Sequence, residues 1–182
     1  MTLILGMHVQ GGVIIAADSL TAGEHDIRAD DRKIYALPGL VWAAAGHSSN
    51  IDEFAAAVRR EPDKIWEVIW HLEQATAMAE RNKSLAARGN EHLADRPWPN
   101  IIFTDGTRLA QVNQDGVMWS QTRYTVSGPC DEVAYYLLRK QWRPDLTPDE
   151  GRALAIFALT EAASATVWAA PPINVEFVPS GT

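Results

Sequence analysis

Four residues in the first quarter of the chain carry groups that can take part in chemistry: the hydroxyl of Thr2, the carboxylate of Asp18, the ammonium of Lys33 and the main-chain N–H of Gly46. A hydroxyl becomes a nucleophile once a base takes its proton, and neighbouring charges or amide donors decide how readily it attacks. Taken singly, each residue has an ordinary reading. A Met-Thr start is common, an aspartate after an apolar strand is most often a turn or cap residue, and a lysine between charged neighbours is most often solvated. A glycine before a helix is usually backbone punctuation. Turn spacing is what draws the four together. Counted as a three-residue loop, Gln10–Gly12 pairs Val9 with Val13, which sets Ile4 opposite Asp18 and Thr2 diagonal to Asp18 on the same face. A two-residue turn at Pro38-Gly39 pairs Leu37 with Leu40, so Lys33 lies opposite Ala44 and diagonal to Gly46. Each hairpin thus sets one ionisable group beside the chain terminus or a glycine.

The elements that must position these groups follow from period and punctuation. Strand-like runs at 2–9 and 13–18 flank the first turn, and runs at 33–37 and 40–46 flank the second. The pattern then becomes helical, with Ser48, Ser49 or Asn50 available as cap for a helix through Ile51, Phe54 and Val58. Glu61-Pro62-Asp63 restarts a second helix whose apolar positions Ile65, Val68, Ile69 and Leu72 recur at helical spacing, out to about Arg81. The stretch from Asn82 to Asn100 is polar with two prolines, and reads as a frayed helix end or a surface loop. Strands return at 101–105, 109–113 and 117–120, after which Ser127-Gly128-Pro129 opens a helix containing Val133, Tyr136, Leu137 and Leu138. Thr147 as cap, Pro148 in the first helical position and acids behind it start a helix to about Ala165. A last strand runs over 173–178. The order of strands, two helices, strands, two helices and a strand predicts an α+β fold of two stacked sheets with a helical layer outside each.

Composition bounds the function classes. With 182 residues the chain suits one domain with a core of its own, and no repeat, low-complexity tract or linker divides it. Sixteen basic against 23 acidic residues give a net charge of −7, which argues against nucleic acid and anionic membranes as partners. The single cysteine, Cys130, excludes an internal disulfide framework and multi-thiolate metal sites, and fits a reducing cytoplasm. The apolar start has no Lys or Arg before Arg28 and is interrupted by His8, Gln10, Gly11 and Gly12, so it does not read as an export signal. No apolar run is long enough to span a membrane. His8, His25, His71 and His92 lack metal-ligand spacing, and no metal or cofactor is expected. The seven tryptophans, Trp66, Trp70, Trp119 and Trp142 among them, read as core or subunit-contact anchors.

As a set, the landmarks resemble a known family. An early threonine, Gly12-Val-Ile-Ile-Ala-Ala-Asp18, Arg32-Lys33-Ile34, Ala45-Gly46, Ser127-Gly128, Glu161-Ala-Ala-Ser164 and Pro172-Ile-Asn-Val175 are similar to proteasome β-type subunits and the bacterial HslV peptidase, and most of all to the short bacterial proteasome homologues. The resemblance implies a four-layer αββα sandwich of the N-terminal-nucleophile (Ntn) hydrolase type. It also implies a threonine peptidase whose nucleophile, Thr2, is exposed by removal of Met1. The residue's own α-amine, with a reference pKa of about 8, is suited to serve as the base. Lys33, held charged and oriented by Asp18, would favour the alkoxide-like oxygen and keep the amine unprotonated. The Gly46 N–H would be the oxyanion donor. Ser127 would sit near the Thr2 amine, with Ser164 and Glu161 behind it as a polar shell.

The departures from the family pattern are local. Glu161 stands where the family has aspartate, His47 is bulkier than the small residue that usually follows the glycine, and the loop between Asp18 and Lys33 is one residue shorter than in the HslV pattern. By the same resemblance Thr21, Asp31, Ala45 and His47 would line the substrate pocket, and Asp30 with Asp31 at its mouth would favour basic side chains. The resemblance further implies unfolded protein or peptide substrates and a homo-oligomeric double ring of 12 or 14 copies. The chain has no phosphate-binding Gly-rich Lys-Ser/Thr loop, so any ATP-driven unfolding must come from a separate ATPase. Two other readings stay open: an amidohydrolase of the same fold acting on non-peptide amides, and a non-catalytic ring subunit if Met1 is retained.

Overall fold

The structure, a computed structural model, describes residues 2–22, 27, 28, 33–90 and 97–181, with Thr21, Ala22, Ile27 and Arg28 as backbone. The chain packs into two compact units: residues 1–45, 101–111 and 120–182 form the first, and residues 46–100 and 112–119 the second.

In the first unit β1 (Ile4–Val9) and β2 (Gly12–Asp18) form the leading hairpin. Its turn is one residue shorter than the sequence reading took it to be. Gly11 adopts φ +73°, which lets Gln10 and Gly11 alone reverse the chain, so Val9 pairs with Gly12 and Ile4 with Ala17. Gly12 is part of the strand because its other neighbour, β11 (Ile173–Pro179), comes very close. A Cβ at residue 12 would lie 2.8 Å from the Phe177 ring and against the carbonyl oxygen of Val178. The slip of one residue corrects the expected pairing of Ile4 with Asp18. Asp18 pairs with Ile173 of β11 on one side, and on the other its amide donates to the carbonyl of Leu3 at 3.0 Å.

The sheet is completed by β10 (Tyr124–Ser127), a strand the sequence reading did not contain, which pairs antiparallel with β1 so that Ser127 faces Ile4. The order is β10-β1-β2-β11, and the chain's first two strands are therefore its central ones. On one face, Leu3, Leu5, Met7, Ile14 and Ala16 pack against α3 (Asp131–Gln141) and α4 (Pro148–Ser164), through Ala134, Leu138, Ala155, Ala158 and Leu159. The predicted start of α4 is present as read: Thr147 Oγ1 accepts from the Glu150 amide at 3.3 Å, and the Glu150 carboxylate accepts from the Thr147 amide at 2.9 Å.

On the other face, Ile4, Val13, Ile15 and Ala17 meet Ile34, Ala43, Ala45, Ile102 and Leu109 of a second sheet. That sheet has the order β5 (Ile34–Leu37), β6 (Leu40–Ala45), β7 (Asn100–Thr104), β8 (Leu109–Val112) and β9 (Met118–Gln121). Its first hairpin has the register read from Pro38-Gly39, with Leu37 opposite Leu40. Burying each of these isoleucines stabilises the pair of sheets by about 1.5–3 kcal/mol. Two short strands, β3 (Thr21–Ala22) and β4 (Ile27–Arg28), pair with each other.

In the second unit, α1 (Ser48–Arg60) is followed by a 3₁₀ turn (Pro62–Trp66) and α2 (Val68–Ala86). His47 is the N-cap of α1, one residue ahead of the three expected candidates, because Asn50 is buried and its side-chain amide donates to Pro97 O at 2.8 Å. The buried face of α2 also differs from the reading. Val68, Ile69 and Leu72 are exposed, while Trp70, His71 and Met78 are buried. Phe54 packs edge-on against Trp70 and Trp98, and the Trp70 indole donates to Glu61 at 3.2 Å. The exposed stripe opens a shallow groove of about 370 Å³ lined by Ile69, Leu72, Glu73, Thr76, Ala77 and Glu80.

Candidate active site

The place where the leading strand begins is a cluster of buried polar groups. Thr2 and Lys33 are 7% and 6% exposed and Asp18 is fully buried. Asp18 closes β2, and because its main chain pairs with Leu3, its carboxylate is beside the peptide that joins Thr2 to Leu3. Oδ1 accepts from the Leu3 amide at 2.8 Å and from Lys33 Nζ at 3.0 Å, while Oδ2 accepts from the amides of Leu20 at 3.0 Å and Ala170 at 3.4 Å. Four donors, one of them cationic, surround a side chain shut off from water, as a buried carboxylate requires. Lys33 also donates to the carbonyl of Leu20, so the ammonium is fixed from two directions. It is carried on the residue preceding β5.

Lys33 is thus a fixed positive charge in a pocket shut off from water, held on the same carboxylate oxygen that accepts from the Leu3 amide. Such a charge stabilises negative charge developing on a nearby oxygen far more than it would in water. The carboxylate's bond to the Leu3 amide ties the charge to the same main chain that bears Thr2.

The remaining expected site residues fall as follows. Ser127, buried, ends β10 opposite Ile4. Glu161 and Ser164 are both exposed on the last turn of α4, where the Ser164 hydroxyl donates to the Glu161 carbonyl at 2.7 Å. Just beyond them, Cys130 Sγ donates to the Ala165 carbonyl at 3.5 Å. Ala45 is buried at the end of β6. Gly46 and His47 are exposed in the second unit, where a Cβ on Gly46 would come within 3.1 Å of Pro99, and His47 Nδ1 is 3.2 Å from Ser49 Oγ. Met1, Asp30, Asp31, His25, His92 and the side chain of Thr21 lie outside the described residues. Of the other histidines, His8 Nε2 is 3.1 Å from Gln121 O, and fully buried His71 is 2.7 Å from Ile65 O.

The backbone partners of the pair were not read from the sequence: the Leu3, Leu20 and Ala170 amides on the carboxylate and the Leu20 carbonyl on Lys33. Such groups carry no residue signature.

The fold has counterparts among known proteins. A family profile described as Proteasome subunit matches residues 99–178. The fold is shared with Anbu (ancestral beta-subunit) from Yersinia bercovieri, at a TM-score of 0.69 and 18% identity over 97% of this chain and 81% of that one. It is shared equally with an Anbu (Gly-1) mutant from Hyphomicrobium sp. strain MC1, at a TM-score of 0.70 and 18% identity over 98% of this chain and 82% of that one. No curated protein matches the sequence. The α+β architecture is therefore that of the Ntn sandwich, as the motifs implied.

Proposed function

Taking as premise a chain related to the proteasome-type Ntn hydrolases, we propose that it is a threonine-type endopeptidase subunit acting on unfolded protein or peptide. The observation that carries this reading is the buried Lys33–Asp18 pair bonded to the main chain of the residue after Thr2.

With Met1 removed, the Thr2 hydroxyl attacks the scissile carbonyl carbon while its proton passes to the α-amine of the same residue. Lys33 stabilises the developing charge on the attacking oxygen, and Asp18 keeps Lys33 charged and aimed. The carbonyl oxygen becomes an oxyanion held by the Gly46 N–H. Collapse of the tetrahedral species breaks the C–N bond, and the departing amine takes the proton from the Thr2 ammonium. Water then attacks the resulting ester, releasing the acid and restoring the hydroxyl, so one water is consumed per bond cleaved. Ser127, with Ser164 and Glu161, assists proton movement at the amine. Thr21, Asp31, Ala45 and His47 line the pocket for the side chain preceding the cut.

The particle is homo-oligomeric, a double ring of 12 or 14 copies working in the cytoplasm with a separate ATPase as unfoldase. Support comes from the exposed apolar stripe on α2, a surface of the kind that another copy covers.

The experiment is reaction of the purified protein with a peptide epoxyketone, in which the Thr2 oxygen adds to the ketone and the Thr2 nitrogen opens the epoxide, closing a morpholine ring. The expected result is one adduct per subunit by intact mass, lost in Thr2→Ala and diminished in Lys33→Ala. Met1 still attached to every copy isolated from cells would replace this reading with that of a non-catalytic subunit. Turnover of simple amides without any peptide cleavage would replace it with an amidohydrolase.

A further inference from the structure

The end of β10 runs beside the start of β1, and the two main chains close in on each other at Gly128. Ser127 is paired with Ile4, and one step along Gly128 has φ +131°, a conformation open to glycine and strained for any residue with a side chain. A Cβ at this position would fall against the carbonyl oxygen of Thr2, 3.1 Å from that residue's carbonyl carbon and 2.8 Å from Leu3 Cα. These are backbone atoms, which cannot swing aside as the tip of a side chain does. The opposite side is also fixed, since the Leu3 amide donates to Asp18 Oδ1 at 2.8 Å and the Leu3 carbonyl accepts from the Asp18 amide at 3.0 Å. Pro129 follows and restricts Gly128 in turn, because a residue before proline is barred from the helical region.

We propose that Gly128 is a positioning residue for the N-terminal nucleophile: its missing side chain creates the seat that holds the Thr2 main chain, and with it the hydroxyl and amine, against the Asp18–Lys33 pair. This rests on the reading of Thr2 as nucleophile. A methyl group at residue 128 must displace the Thr2 main chain from its place beside that pair, and a shift of about 1 Å at a reacting group slows a reaction on the order of 100-fold. Gly39 is the matched control. It too has positive φ, +73°, but nothing lies within 4 Å of the position of a Cβ, so alanine there carries the strain without the collision.

Epoxyketone inactivation of full-length Gly128→Ala and Gly39→Ala is resolved into a maximal rate and a half-saturating concentration, alongside hydrogen exchange of the Leu3 amide. For Gly128→Ala the maximal rate is expected to fall about 100-fold at an unchanged half-saturating concentration. Leu3 exchange should quicken while exchange at Ile14 and Ile15 stays as in the parent, and Gly39→Ala should match the parent throughout. A parent-like rate and parent-like Leu3 exchange in Gly128→Ala overturns the proposal, and so does an equal loss in both alanine variants. If the parent itself forms no adduct, the peptidase reading fails, and Leu3 exchange alone decides whether Gly128 holds Thr2. If Gly128→Ala does not fold, Pro129→Gly takes its place, since it adds no heavy atom but frees Gly128 to move. Slower adduct formation with faster Leu3 exchange then supports the proposal, and no change in either overturns it.

Discussion

A charged side chain with no access to water tolerates the loss of its partner poorly, and this governs what Asp18 and Lys33 can become. Lys33→Met strands the Asp18 carboxylate and should cost roughly 3–5 kcal/mol in urea unfolding, whereas adding Asp18→Asn to the same chain should recover part of that loss. Recovery separates a stranded charge from a simple packing defect. His71 makes a second residue-level prediction. Carbonyls only accept, so its Nε2 must be the donor to Ile65 O. Burial lowers the pKa of His71, opposed by that hydrogen bond. The folded state therefore binds the proton less readily than the unfolded chain, whose histidine titrates near 6.5. The contribution is fully present above that value and is lost as pH falls below it. The melting temperature should drop between about pH 7 and pH 5, and His71→Gln, which keeps a donor but does not titrate, should flatten that part of the profile. Asp18 and Lys33 were legible in the sequence because each stands at the open end of a hairpin whose turn is marked by glycine. The donors around the carboxylate were not, since a backbone amide such as that of Ala170 looks the same in every residue.

Punctuation decided how well each element could be read. Thr147, Pro148 and Glu150 announced the start of α4 because capping is local, and the same locality makes it testable: Thr147→Ala should lower stability by about 1 kcal/mol in chemical denaturation. Period alone was less informative. The apolar positions Val68, Ile69 and Leu72 fit a helix, yet its rotation about its axis is set by the larger partners Trp70 and His71, anchored on Glu61 and Ile65 beyond the helix start. The first hairpin was misread by one residue, since Gly12 could belong to the turn or to the strand, and only the approach of β11 places it in the strand. β10 was overlooked because four residues with one fully apolar position give no alternating signal of their own, and its partner is the distant β1.

At the scale of the molecule, Val68, Ile69 and Leu72 leave an apolar stripe of α2 exposed to water. Exchanging Ile69 and Leu72 for glutamate should leave the folding free energy within about 0.5 kcal/mol of the parent, as exposed positions do. In sedimentation velocity the same exchange should shift the protein to smaller species, and an unchanged profile would remove this face from the assembly. The overall α+β class was plain from the grouping of strands and helices. The crossing of distant strands was not, because long-range pairing leaves no local trace. That crossing also sets a timetable for synthesis. β1 and β2 are made well before the strands that flank them, β10 and β11. Until then the leading hairpin carries two bare edges, open to pairing with other nascent chains. The Asp18 cluster also lacks its Ala170 donor until residue 170 has been made. A chain not yet extended to Ala170 thus holds the Asp18 carboxylate with one of its four donors missing.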